Sequence, residues 1–89
     1  MPQATTTISN KLGLHARASA KLTKLAGSFP CEVWIAKAER RVTAKSIMGV
    51  MMLAAGIGSQ VTIDTEGDQA QEALDAVLAI IADKFGEGE

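Results

Sequence analysis

The sequence predicts a two-layer α/β domain in which three helices cover one face of a four-stranded, mostly antiparallel sheet. Three observations lead there. The elements run strand, helix, strand, strand, helix, strand, helix (βαββαβα). The first, second and fourth strands alternate a core-facing set with an outward set, as a sheet with one buried face requires. Each helix carries one apolar stripe, which needs that face as its partner.

Ala4, Thr6 and Ile8 alternate with Thr5 and Thr7, and the β-branched content suits an extended chain. Ser9-Asn10-Lys11-Leu12-Gly13 reads as a loop. Ala18, Leu22, Leu25, Ala26 and Phe29 recur at helical spacing, predicting an amphipathic helix over about 16–28 that Gly27 and Pro30 close. Cys31, Val33 and Ile35 alternate with Glu32, Trp34 and Ala36 in a second strand, which places Trp34 on the open face. A turn near Ala38-Glu39 leads to a short third strand over 40–43.

Ser46 precedes a short helix from Ile47 to Leu53, ended by Gly56 and Gly58, with Val50 and Leu53 facing the core. Val61, Ile63 and Thr65 against Thr62, Asp64 and Glu66 give the fourth strand. Asp68 is the expected N-cap of the last helix, with Gln71 completing a capping box. Ala70, Ala73, Leu74, Val77, Leu78, Ile81 and Phe85 share one face of that helix, and Gly86 is its expected stop.

At 89 residues the chain has room for a single domain, 1–89, and its 47% hydrophobic content can build a core without staples. A net charge of −1 argues against a general electrostatic grip on nucleic acid. Cys31 is the only cysteine, which rules out an internal disulfide and a multi-cysteine zinc site; a core-facing thiol is expected. The N-terminus lacks the basic start and apolar stretch of a signal peptide. The longest apolar run, 47–57, is broken by glycines and too short for membrane insertion, so the expected location is the cytoplasm.

Gly13-Leu14-His15-Ala16-Arg17 carries the chemistry. His15 is the only histidine, placed where a loop meets the first helix. Free amides and the positive end of the helix dipole favour an anion there. Arg17 adds a permanent cation whose donor fork fits phosphoryl oxygens. A neutral imidazole is nucleophilic at physiological pH. On chemistry alone a lone loop histidine is more often a surface residue or a cap. No metal site is expected, because Asp, Glu, Cys and further His residues are missing from the local sequence. Nor does an acid stand close in sequence to orient His15 for a hydrolase triad.

Asn10-Lys11-Leu12-Gly13-Leu14-His15-Ala16-Arg17 resembles the active loop of the histidine-containing phosphocarrier (HPr) family of the bacterial sugar phosphotransferase system. Lys45-Ser46-Ile47-Met48-Gly49-Val50-Met51, followed by Leu53-Ala54-Ala55, resembles that family's second helix and regulatory serine segment. The closing Lys84-Phe85-Gly86-Glu87 matches as well, so the resemblance covers nearly the whole chain, and the family's open-faced β-sandwich agrees with the element order. It implies that His15 takes a phosphoryl group on Nδ1 from phosphorylated Enzyme I and gives it to a histidine of an Enzyme IIA domain. The chain would then be a carrier acted on by enzymes, not an enzyme, and would need no cofactor. In one departure, Ala18 stands where the family usually has proline.

Two further expectations follow from the resemblance. Ser46, an N-cap on its own merits, is the residue that an HPr kinase/phosphorylase would phosphorylate. Ala20, Lys24, Lys45, Ile47, Met48 and Met51 would form the partner-binding surface, a small adaptable apolar patch with positive charge at its rim. A carrier that docks one face at a time needs no oligomer, so a monomer is expected. Within the family the alternative is a regulatory, nitrogen-type phosphocarrier with no sugar transport downstream. An RNA-binding domain would need stacking aromatics on the open face, and only Trp34 fits.

Overall fold

The computed structural model describes residues 2–87; Met1, where the signal-peptide reading begins, lies outside them. The order is β1 (Gln3–Thr7), α1 (Ala16–Gly27), β2 (Glu32–Lys37), β3 (Arg40–Thr43), α2 (Ile47–Met52), β4 (Gln60–Glu66), α3 (Ala70–Ala82) and a 3₁₀ turn at Lys84–Gly86. The strands lie in the order β1-β4-β2-β3, and every pairing is antiparallel. This is the open-faced, two-layer arrangement that the alternation predicts.

Alternation decides which face is covered. Val33, Ile35, Val61 and Ile63 are buried with Leu22 and Ala26 of α1, Val50 of α2, and Leu74, Val77 and Ile81 of α3. Cys31 is a buried free thiol in the same core, as expected.

The open face answers for Trp34. In the register Trp34 lies opposite Asp64 on one side and Thr43 on the other. The Arg41 guanidinium sits 4.2 Å from the centre of the Trp34 ring. It also donates to both Asp64 oxygens, from Nη2 at 2.5 Å and from Nε at 3.3 Å. The aromatic surface is thus stacked under a cation whose charge is matched in place.

Two expectations about α3 need correction. Asp68 is not its N-cap: the chain turns at Gly67 (φ +113), and Gln69 takes the cap position in the left-handed region without a side-chain bond. The Ala70 amide is met by the Gly67 carbonyl at 3.2 Å, and Gln71 donates to Asp75 instead of reaching back to a cap. Nor does the helix continue to Phe85. It ends at Ala82, and Lys84 and Phe85 both adopt φ +55. That reversal turns the Phe85 ring into the core, where it is 1% exposed, and sends the tail back toward α1. The Lys21 ammonium holds it there, donating to the Phe85 carbonyl at 2.7 Å.

Candidate functional site

The loop from β1 to α1 is held at several points. Ile8 is fully buried; its amide donates to Ser59 and its carbonyl accepts from Gly58. Gly13 adopts φ +66, and a Cβ there would lie 2.5 Å from the Ala55 carbonyl oxygen and 2.7 Å from the Gly56 Cα, so only glycine fits. The next amide, Leu14, donates to that same Ala55 carbonyl at 2.9 Å. Asn10 is fully buried, and its Nδ2 donates to the Gly13 carbonyl at 2.8 Å.

His15 follows as the N-cap of α1, with extended backbone (φ −74, ψ 179) and a side chain that makes no capping bond. Its carbonyl accepts the first helical hydrogen bond, from Ser19 at 2.9 Å. The amides of Ala16, Arg17 and Ala18 therefore have no partner in the preceding turn, leaving donors for an anion. Ala18 contributes one of them, which a proline would lack. The Ser19 hydroxyl is committed elsewhere, donating to the Leu14 carbonyl at 3.0 Å.

His15 and Arg17 share a cleft of about 660 Å³ with Lys11, Leu12, Ala16, Lys21, Gly86 and Glu87. Arg17 is exposed and has no carboxylate partner among the described residues. Three permanent cations around one imidazole favour a phosphoryl group. Among the described residues no three His, Cys, Asp or Glu side chains gather as a metal ion requires.

Glu87 is the site residue that sequence reasoning missed. Its Oε2 lies 2.5 Å from His15 Nε2, and its Oε1 accepts from Asn10 Nδ2 at 2.9 Å. The Asn10 hydrogen bond, with that of His15 and the charges of His15 and Lys21, holds the Glu87 carboxyl below its ordinary range against opposing desolvation. The acid lies 72 positions from the histidine, and it arrives through the left-handed reversal at Lys84-Phe85. The Lys84-Phe85-Gly86-Glu87 ending was visible as a pattern, but its geometry was not.

At α2, Ser46 caps as expected: its Oγ accepts the Gly49 amide at 3.1 Å. Val50 and Leu53 are buried, while Ile47, Met48, Met51 and Met52 are exposed, Met48 to 70%. Ala20 and Lys24 are exposed on α1, which packs against α2. Lys45 is half-buried, its Nζ donating to the Phe29 carbonyl. Leu12 and Ile57, exposed to 67% and 62%, are apolar surface that sequence reasoning left unassigned.

Comparison with known proteins places this geometry. The family model for the PTS HPr component phosphorylation site matches residues 2–83. Phosphocarrier protein HPr of Cupriavidus necator is 67% identical over 89 residues, covering all of both chains. Phosphocarrier protein NPr of Shewanella violacea is 46% identical over 81 residues, 91% of this chain and 89% of the relative. The crystal structure of HPr-C-His from Thermoanaerobacter tengcongensis superposes with a TM-score of 0.94 at 42% identity, covering 98% of each chain. With the sheet order, the loop and its lone histidine already in place, these matches show that the chain belongs to the HPr family of phosphotransferase-system phosphocarriers.

Proposed function

We propose that His15 is the phosphoryl acceptor, charged on Nδ1 by phosphorylated Enzyme I and discharged onto a histidine of an Enzyme IIA domain. The observation that carries this reading is the state of His15: the sole histidine stands as the N-cap, and among the described residues neither Nδ1 nor the three amides of the first turn has a hydrogen-bond partner. A nucleophilic nitrogen beside free donors and Arg17 can receive a tetrahedral anion and stabilise its charge in transit. The N–P bond is reactive, so the cargo can leave again. The single domain, 1–89, needs no cofactor for this and works as a cytoplasmic monomer.

Ile47, Met48, Met51 and Ala20, with Lys24 and Lys45, form the partner surface. Exposed thioethers beside basic side chains suit weak, fast exchange with several acidic partners. Ser46 is the second, regulatory acceptor, used by an HPr kinase/phosphorylase; phosphate at this cap would add negative charge beside the docking face. A nitrogen-type, purely regulatory carrier is the second reading, and the likeness to an NPr supports it. The Enzyme IIA that accepts the group separates the two.

The direct test is incubation with phosphoenolpyruvate and Enzyme I, followed by mass and acid-lability analysis. Acid-labile phosphate on His15 is expected, with none on His15→Ala. Label retained by that variant overturns the assignment.

A further inference from the structure

We propose that Glu87, aimed by Asn10, is a positioning residue for His15: its carboxylate accepts the Nε2 proton and so keeps the Nδ1 lone pair free for the phosphoryl group. The inference rests on the carrier reading above and deepens it.

The contacts define a chain of three side chains. Asn10 is fully buried, and both groups that its Nδ2 meets, the Gly13 carbonyl and Glu87 Oε1, are acceptors. Its amide is therefore oriented with the NH₂ toward them. That bond fixes one oxygen of Glu87, and the other faces His15 Nε2. A carboxylate can only accept, so the neutral ring must carry its proton on Nε2. Nδ1 is then the unprotonated nitrogen, and it makes no capping bond and none to the described residues. The tail is not a loose end that falls on the ring by chance. Phe85 is anchored in the core, and Lys21 grips its carbonyl. The titratable and charged groups around the pair are Lys11, Arg17 and Lys21, from the loop and α1.

In the transfer, the Nδ1 lone pair forms the new N–P bond as the bond from phosphorus to the donor's nitrogen breaks. The electron pair of the broken bond stays on the donor. The Nε2 proton stays on His15, so the ring becomes a phosphorylated imidazolium facing the Glu87 carboxylate. The same contact that selects the nucleophilic nitrogen thus also balances the charge the ring acquires.

The test uses the single histidine as its own probe. In ¹⁵N-labelled protein with the ring neutral, Nε2–H should be protected from solvent exchange. In Glu87→Ala and Glu87→Gln that protection should be lost, while the amide spectrum reports an intact fold. Phosphorylation by Enzyme I should slow roughly tenfold in both variants, in line with the loss of groups that orient a reacting imidazole or ligand. The apparent KM for this protein should hold steady. Unchanged Nε2–H exchange with a rate within about twofold of wild type overturns the role of Glu87. A slower rate with unchanged exchange overturns it too, since the effect would then not act through the ring. Wild-type protein that takes no phosphoryl group overturns the carrier reading itself, and the exchange measurement tells the two failures apart.

Discussion

Among the described residues, two carboxylates meet basic side chains on different surfaces, and the contacts are built to opposite ends. On the open sheet face, Asp64 accepts two bonds from Arg41, which in turn stacks on Trp34. Both carboxylate oxygens there are met by one guanidinium, and the cation is permanent. At the start of α1, Glu87 meets one nitrogen of a ring that can lose its charge and leaves the other nitrogen open. The first contact covers aromatic surface and links β3 to β4 across β2. The second, as proposed above, holds a reactive atom in place. On that reading the open ring nitrogen, more than the presence of charge, separates the second contact from the first.

The comparison can be broken most forcefully at Phe85. Phe85→Ala removes a fully buried ring and should cost about 3–5 kcal/mol of stability, read from denaturant unfolding. Because the tail is anchored there, the variant should also lose the Glu87 contact, while the Trp34–Arg41–Asp64 cluster survives wherever the chain remains folded. Met48→Glu acts on docking alone. Placing a carboxylate on a side chain that is 70% exposed should weaken Enzyme I binding on the order of tenfold, measured by titration, with the thermal midpoint nearly unchanged. A collapse of the fold would instead put Met48 in the core.

Arg41→Gln sharpens the contrast from the other side. It leaves Asp64 with a nearly buried, uncompensated charge and bares Trp34. The thermal midpoint should fall by less than in Phe85→Ala, and the emission of this single tryptophan should shift to the red. Phosphorylation of His15 should proceed at the wild-type rate; a slowed rate would mean that the open face is not separate from the chemistry. The smallest effect concerns acid. Glu87 is held below its ordinary value, so its ionised form favours the folded state. That contribution is complete above the unfolded value, near pH 4.3, and is lost as the pH falls through the lower folded value. The stability gap between wild type and Glu87→Gln should therefore narrow below about pH 4, as followed by urea midpoints.

Much of this was legible in the chain. The alternate positions Val61, Ile63 and Thr65, and Val33 and Ile35, set the buried face, because a one-residue slip would expose Ile63 and Ile35. Ser46 announced its own cap, and Val50 and Leu53 their burial. The misses share a cause. Gly67 permits a turn that carries the start of α3 past Asp68, and two non-glycine residues, Lys84 and Phe85, take left-handed conformations that local preference disfavours. Tertiary packing of the Phe85 ring outweighs that preference. Everything downstream of the reversal, including the approach of Glu87 to His15, was hidden with it. His15 and Arg17 could be found because they sit beside each other in sequence; their acid could not.

Gly13 has a consequence for how a docked partner finds its target. The Ala55 carbonyl lies against Gly13 and accepts from Leu14, so the end of the α2 segment and the residue before His15 are joined edge to edge. The proposed docking helix and the proposed acceptor atom therefore travel as one body. If the methionines are the docking surface proposed above, seating on them would align the imidazole directly, with no loop left to search for the right pose.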